Sequence, residues 1–246
     1  MPVDKSEKLI ELKQTETSPV DDLIGYDPDL ESINQFIFLH FPGFDLHELL
    51  TQLEDVAVER SFTWTKRTVK LSDDGRLTIH HESYFSPESL SLKRVLMQPA
   101  GDKRVVHEEM IIPAHLQKKG LSRKFMLPYY EQYQKSGVDR ISVYAAMKRG
   151  GYAWAKYGFA ATNYNDVFRV LDEGYSKGIL HDEIQELRSD ANSFYIAHGY
   201  STPFPIYLWA EATYGELLLT DSDWQGELNF NDSDQVDVFR TYLYQA

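Results

Sequence analysis

Six residues, Gln117-Lys118-Lys119-Gly120-Leu121-Ser122, constrain this chain most, because one kind of pattern gives way to another there. Before them the apolar run Met110, Ile111, Ile112 ends. After them Leu121, Phe125, Tyr129 and Tyr133 recur at four-residue spacing, the signature of a helix face. The stretch therefore reads as strand, short loop and helix N-terminus, with a glycine inside the turn. The first four N–H groups of a helix have no partner within it, and the helix dipole places positive potential behind them. Such a turn suits an anion, phosphate above all. Lys118, Lys119, Arg123 and Lys124 put four cations within eight residues, with no acid among them.

At 246 residues the chain has room for one large domain, or one domain with an appendage. No run of 18 apolar residues is present, so no membrane span is expected. The start, Met-Pro-Val-Asp-Lys-Ser-Glu, lacks the basic-then-apolar pattern of a signal peptide. With no cysteine there is no disulfide framework, thiol nucleophile or cysteine zinc site, and a cytoplasmic setting is expected. The net charge of −13 is uneven: residues 1–30 carry eight acids and three lysines, and residues 211–246 carry eight acids and one arginine. Residues 117–149 instead hold eight cations against Glu131 and Asp139, so the basic patch surrounds the glycine turn. A generally acidic surface disfavours non-specific nucleic-acid binding, whereas a local basic patch fits a small polyanion.

Residues 1–30 read as a loose acidic leader, interrupted by Pro19 and Pro28. Phe36, Phe38, Leu39 and Phe41 form an apolar cluster closed by Pro42-Gly43. Residues 44–58 carry apolar positions near one helix face. Phe62, Trp64, Val69 and Leu71 alternate with polar residues, as a strand does, and Ser72-Asp73-Asp74-Gly75 is a strong hairpin turn. Leu77 and Ile79 open the returning strand. Two more strands are predicted at 92–98 and 104–112, making an antiparallel meander. A helix follows from Leu121, with Pro128 expected to kink or shorten it and Gly137 suited to its end. Arg140 to Met147 reads as a strand, and Gly150-Gly151 as the opening of a short helix, Tyr152 to Lys156. Residues 166–198 look helical, and Leu217–Leu219 and Leu228–Phe230 read as a pair of strands.

The order meander, glycine turn, helix, strand, Gly-rich helix resembles the GCN5-related N-acetyltransferase (GNAT) superfamily. Its acyl-CoA signature, Gln/Arg-x-x-Gly-x-Gly/Ala, is similar to Gln117-x-x-Gly120-x-Ser122, with serine in the last small position. Its second signature, an aromatic followed two or three residues later by Gly-Phe, is similar to Trp154-Ala155-Lys156-Tyr157-Gly158-Phe159. The likeness spans roughly residues 99–160. It implies an α/β fold with a mixed, mostly antiparallel sheet flanked by helices and an acyl-CoA-binding core over 31–160, preceded by the acidic leader over 1–30 and followed by a helical C-terminal elaboration over 161–246 packed on the core. It further implies acetyl-CoA, or another acyl-CoA, as co-substrate. The pantetheine arm would pair with the backbone of Met110, Ile111 and Ile112, between splayed strands 104–112 and 140–147. Gln117, Lys118, Lys119, Gly120, Leu121, Ser122 and Arg123 would hold the pyrophosphate.

Acyl transfer to an amine needs a group to take a proton and another to protonate the leaving thiolate. His107-Glu108-Glu109 places three titratable groups just before the pantetheine segment. Strand alternation puts Glu108 and Glu109 on opposite faces, Glu108 sharing parity with Met110 and Ile112. Glu108 is the expected base. Trp154 stands where many members have a tyrosine acid, and indole does not titrate usefully; Tyr152 is the expected acid, with Tyr157 the other near candidate. Tyr152, Trp154, Tyr157 and Phe159 as a set read as core. The eight histidines form no ligand spacing, so no metal is expected. The function read here is acyl-CoA-dependent transfer to a substrate amine of unknown identity. The alternatives are a catalytically degenerate GNAT-like module acting through protein contacts and, more weakly, a nucleic-acid-directed enzyme.

Overall fold

The computed structural model describes residues 8–12, 28–117 and 120–245. The chain is α/β and its strand pairings within each unit are antiparallel; the two compact units are residues 1–139 and 140–246. The segment 140–160, read from the sequence as part of the core, shares its unit with the C-terminal elaboration.

In the first unit, β1 (Lys8–Leu12), β2 (Lys66–Leu71), β3 (Leu77–Phe85), β4 (Glu88–Met97) and β5 (Arg104–Ile111) lie side by side in sequence order. The hairpin between β2 and β3 is the predicted one: Gly75 takes φ 74°, and the ladder pairs Leu71 with Leu77. Two parts of the segment read as an acidic leader are described. Lys8–Leu12 is a strand registered on Leu71 to Arg67, and the helix α1 begins at Pro28; the rest of 1–27 lies outside the described residues. Phe36, Phe38 and Leu39 of the apolar cluster belong to α1 (Pro28–His40), where Ile33, Phe36 and Ile37 recur at helical spacing and are buried, while Phe38 and Leu39 face outward; Phe41 follows the helix and is buried.

Helix α2 (Leu46–Glu59) is capped by Asp45, whose carboxylate accepts the Glu48 N–H at 2.9 Å. Phe62 and Trp64 lie ahead of β2 rather than in it. Both are buried, and Trp64 meets Phe125 at 5.6 Å between ring centroids. Helix α3 (Leu121–Ser136) supplies Phe125, Tyr129 and Tyr133 to the same core, all with no exposed surface. Its C-terminus is the predicted one, Gly137 at φ 65°. Pro128 neither ends nor shortens α3. It is itself buried, and the apolar area that flanks it offsets the one hydrogen bond it removes.

In the second unit β6 (Arg140–Ala145) pairs along its whole length with β8 (Trp224–Asn229), which also pairs with the two-residue β7 (Ala160–Ala161). Between them come α4 (Met147–Lys156), α5 (Tyr164–Ser176), α6 (His181–His198) and α7 (Gly215–Leu219), and α8 (Ser233–Leu243) follows. Helix α4 starts five residues ahead of Tyr152, so Gly150 and Gly151 lie inside it. Leu217–Leu219 is helix, not strand; three leucines in succession fit either, and burial of Leu218 and Leu219 against the unit's interior decides it. Among the described residues no helix is long and apolar enough to cross a membrane.

Candidate functional site

Strand β5 ends at Ile111, Ala114–Leu116 makes a 3-10 turn, and Gly120 opens α3 in the left-handed region at φ 70°, ψ 9°. Glycine pays no Cβ penalty there. No side chain caps α3. The first bond of the helix runs from Lys124 N–H to Gly120 C=O at 3.1 Å. Glu88 ties the approach down by accepting the Ala114 N–H at 3.1 Å. Leu121 is buried and anchors the first turn. The Gln117 amide donates to Ile112 C=O at 2.8 Å, so this side chain shapes the loop. Of the four cations read from the sequence, Lys124 ion-pairs with Glu59 of α2, and Lys118 and Lys119 lie outside the described residues.

Strand alternation fails at the candidate base. Lys93 of β4 faces Glu109, but the adjacent Arg94 faces His107, so Glu108 is an extra residue: a β-bulge. The bulge resets the faces. His107 and Met110 turn toward α3, where His107 Nε2 meets the Tyr133 hydroxyl at 2.9 Å. Glu108 and Glu109 both turn to the other face, contrary to the parity argument. Glu108 pairs with Lys93 at 2.7 Å, and Glu109 accepts from Ser91 at 2.6 Å. Glu108 thus shares no face with Met110.

A buried guanidinium holds the bulge. Arg94 has no exposed surface; it donates to Lys93 C=O at 3.0 Å and to Glu109 C=O, its Nη2 lies 3.7 Å from Met110 Sδ, and it stacks 5.1 Å from the Tyr129 ring centroid. Those two carbonyls flank the ladder interruption, so the arginine fork occupies acceptors at the place where the register breaks. Around it burial, reinforced by the Arg94 charge, pushes His107 well below the usual histidine range and keeps it neutral. Burial pushes Tyr129 up to about 12 and Tyr133 well above its ordinary value, each against the pull of Arg94. The Arg94→Lys variant keeps the charge but loses the planar fork. It is expected to cost about 1–3 kcal/mol, the range for leaving a buried acceptor unsatisfied. Denaturant unfolding of the first unit checks it.

Tyr152 lies on α4, in the other unit from Glu108. It is half-buried; desolvation raises its pKa while Lys156 opposes, and Lys156 is paired to Glu211 at 2.6 Å. The phenol therefore holds its proton at neutral pH. Trp154, Tyr157 and Phe159 are buried, with Trp154 and Phe159 edge to face at 5.0 Å, so these three are core.

Sequence reasoning missed the bulge and its arginine, which depend on a contact between strands. It also missed a polar face, although Thr68, Lys70 and Ser72 alternate with Val69 and Leu71, and Lys66 shares their parity. Among the described residues no group of three potential metal ligands is assembled. No protein-family model, no curated protein and no solved structure matches the chain.

Proposed function

We propose that this protein is an acyl-CoA-dependent N-acyltransferase with a GNAT-like core, most simply an acetyltransferase acting by direct attack of a substrate amine on the thioester. One observation carries the reading: a left-handed glycine, Gly120, opens a 16-residue helix that no side chain caps, downstream of a strand that ends in an apolar run. Such a helix start offers N–H donors and a dipole to a pyrophosphate. In this reading the backbone of Met110, Ile111 and Ile112 pairs with the pantetheine amides, and the turn from Gln117 to Arg123 receives the phosphates. Glu108 takes the amine proton and Tyr152 returns one to the thiolate.

Calorimetry with acetyl-CoA tests it. Binding is expected, and it should weaken as salt rises, because the phosphate contacts are screened. The Gly120→Glu variant should bind at least about tenfold more weakly, since it adds a carboxylate where phosphate sits and a Cβ at a positive φ. Among the described residues an added Cβ meets only the Arg123 guanidinium, at 3.4 Å, so the cost to the fold is the backbone strain of a side chain at φ 70°. No binding at about 1 mM acetyl-CoA, a level that registers even weak affinity, removes the reading.

A second reading, a GNAT-like module without catalysis, is favoured by two particulars. The carboxylate of Glu108 is engaged by Lys93, and an indole stands at position 154 inside the core.

A further inference from the structure

One side of β3 is buried, and its members are Leu77, Ile79, His81 and Ser83. His81 is the titratable one. It is 1% exposed, and neither ring nitrogen has a hydrogen-bond partner among the described residues. Ser83, by contrast, donates to Thr63 C=O at 2.7 Å. Rings and a guanidinium surround the imidazole. Trp64 meets it edge to face at 5.1 Å between centroids. Trp64 is itself held between Phe125 of α3 and Leu53 of α2, whose C=O accepts the indole N–H at 3.4 Å. On the ladder, Arg67 of β2 and Leu92 of β4 flank His81, and both are buried.

This setting holds His81 neutral. Burial is the first cause and Arg67 the second, with His80 and Arg94 adding to them, and the pKa falls from 6.5 to about 3. Glu54, on α2, is engaged by Arg67 at 3.4 Å. From β4 and β5 come Arg94 and the neutral His107; from α3 come Tyr129 and Tyr133, whose burial raises their pKa values. His80, Glu82 and Glu109 lie on the opposite face of the sheet. A proton on His81 therefore puts a second cation across the ladder from Arg67. Its two N–H groups would have no acceptor among the described residues. The second unit has no such arrangement: its two histidines, His181 and His198, are both exposed.

We propose that His81 is an acid-sensitive release for the first unit: a proton on its ring drives Trp64, α2 and α3 off the sheet, so this unit opens at a mildly acidic pH at which the second unit stays folded. The unfolded chain binds that proton near pH 6.5 and the folded one only near 3. Above 6.5 the histidine therefore costs nothing, and below it the unfolding equilibrium shifts toward the open form by about tenfold for each pH unit. Carboxylates take up protons mainly near pH 4, so the upper part of this window belongs to histidine. His107, buried and neutral, acts in the same direction. The release stands whether or not the Gly120 turn binds acyl-CoA.

Amide hydrogen exchange of the full chain tests it, read by mass spectrometry from about pH 7.5 to about pH 5 and corrected for the intrinsic pH dependence of exchange. Peptides from β3, α2 and α3 are expected to lose protection as the pH falls, while those from β8 and α8 keep it. His81→Leu fills a similar volume with a group that takes no proton and has no hydrogen bond to lose. Its loss of protection between about pH 6.5 and 5 should be roughly 30-fold smaller than that of the wild type, because one coupled proton is gone. At about pH 7.5 it should be protected at least as well as the wild type. His81→Gln, uncharged at any pH, should flatten the same dependence and replaces the leucine variant should that one not fold. Three results overturn the proposal. The first is wild-type protection of β3, α2 and α3 that does not fall with pH. The second is equal loss in the two units. The third is a folded His81 variant that keeps the wild-type pH dependence, which would leave the imidazole a packing group only.

Discussion

Replacing Gly151 with valine is expected to destabilise the second unit by about 3 kcal/mol or more, the range for forcing atoms into a filled core. Gly151 sits inside α4 at the point where the loop Leu219–Ser222 crosses it. A Cβ there would stand 2.4 Å from Ser222 Oγ and 2.5 Å from Leu219 C=O. Ser222 already donates to that carbonyl at 2.8 Å, and Asp221 N–H donates to Lys148 C=O at 2.8 Å, so the loop has no room to retreat without breaking its own bonds. Valine adds two further methyl groups. The neighbouring glycine predicts the opposite sign. At Gly150 a Cβ would meet Ala145 backbone at an ordinary 3.6 Å, and the residue is helical without a positive φ. Gly150→Ala is therefore expected to stabilise by about 0.5–1 kcal/mol, through the smaller entropy of the unfolded chain and better helix propensity. Tryptophan fluorescence during denaturant unfolding reads both, because Trp154, Trp209 and Trp224 are buried in this unit. If Gly151→Val unfolds at the wild-type midpoint, the close approach of loop to helix is wrong.

Those two glycines show where local pattern stops being informative. From the sequence they read as a helix opening, since glycine is a poor interior residue. The reason one of them, Gly151, is required inside α4 is a loop some seventy residues away in the chain, which does not reach Gly150. The hairpin at Ser72–Gly75 and the ends of α3 were legible because each is decided by residues within a few positions: Asp-Gly for the turn, Gly120 and Gly137 for the two left-handed caps. Pro128 was read for its local cost, but its setting is tertiary: it sits buried in a helix that three aromatic side chains press against the sheet. Strand parity carried the face assignments correctly along β3, where Leu77, Ile79 and His81 are buried and their neighbours are not. It broke at Glu108, because a bulge is set by the partner strand, here by the Arg94 fork on the two flanking carbonyls. The glycine turn of the candidate site was visible for local reasons. The electrostatic setting of Glu108 was not, since Lys93 comes from another strand.

Glu108→Gln is expected to lower kcat by about 10²–10⁴-fold once an acceptor amine is in hand, the usual loss for a general base. The ion pair with Lys93 makes this a sharper test than the sequence suggested. Both side chains are about one-third exposed, 38% for Glu108 and 33% for Lys93, so the pair itself contributes little stability, at most about 1 kcal/mol. Glutamine keeps the shape and one hydrogen-bond acceptor. The fold and the affinity for acetyl-CoA should therefore hold while turnover falls. If Glu108 is the base, raising the pH should partly rescue the variant, because more of the amine is then already deprotonated. Tyr152→Phe should act on thiolate departure instead and show no such rescue. Lys93→Met separates the two roles of the carboxylate. It releases Glu108, so an enzyme that uses it as base keeps or gains turnover, whereas a Glu108 that serves only to hold Lys93 makes Glu108→Gln and Lys93→Met behave alike. Full turnover in Glu108→Gln would end its role as base. Acetyl-CoA that binds to the wild type, yet is neither hydrolysed nor transferred to any amine of a broad panel, would make the non-catalytic module the correct reading.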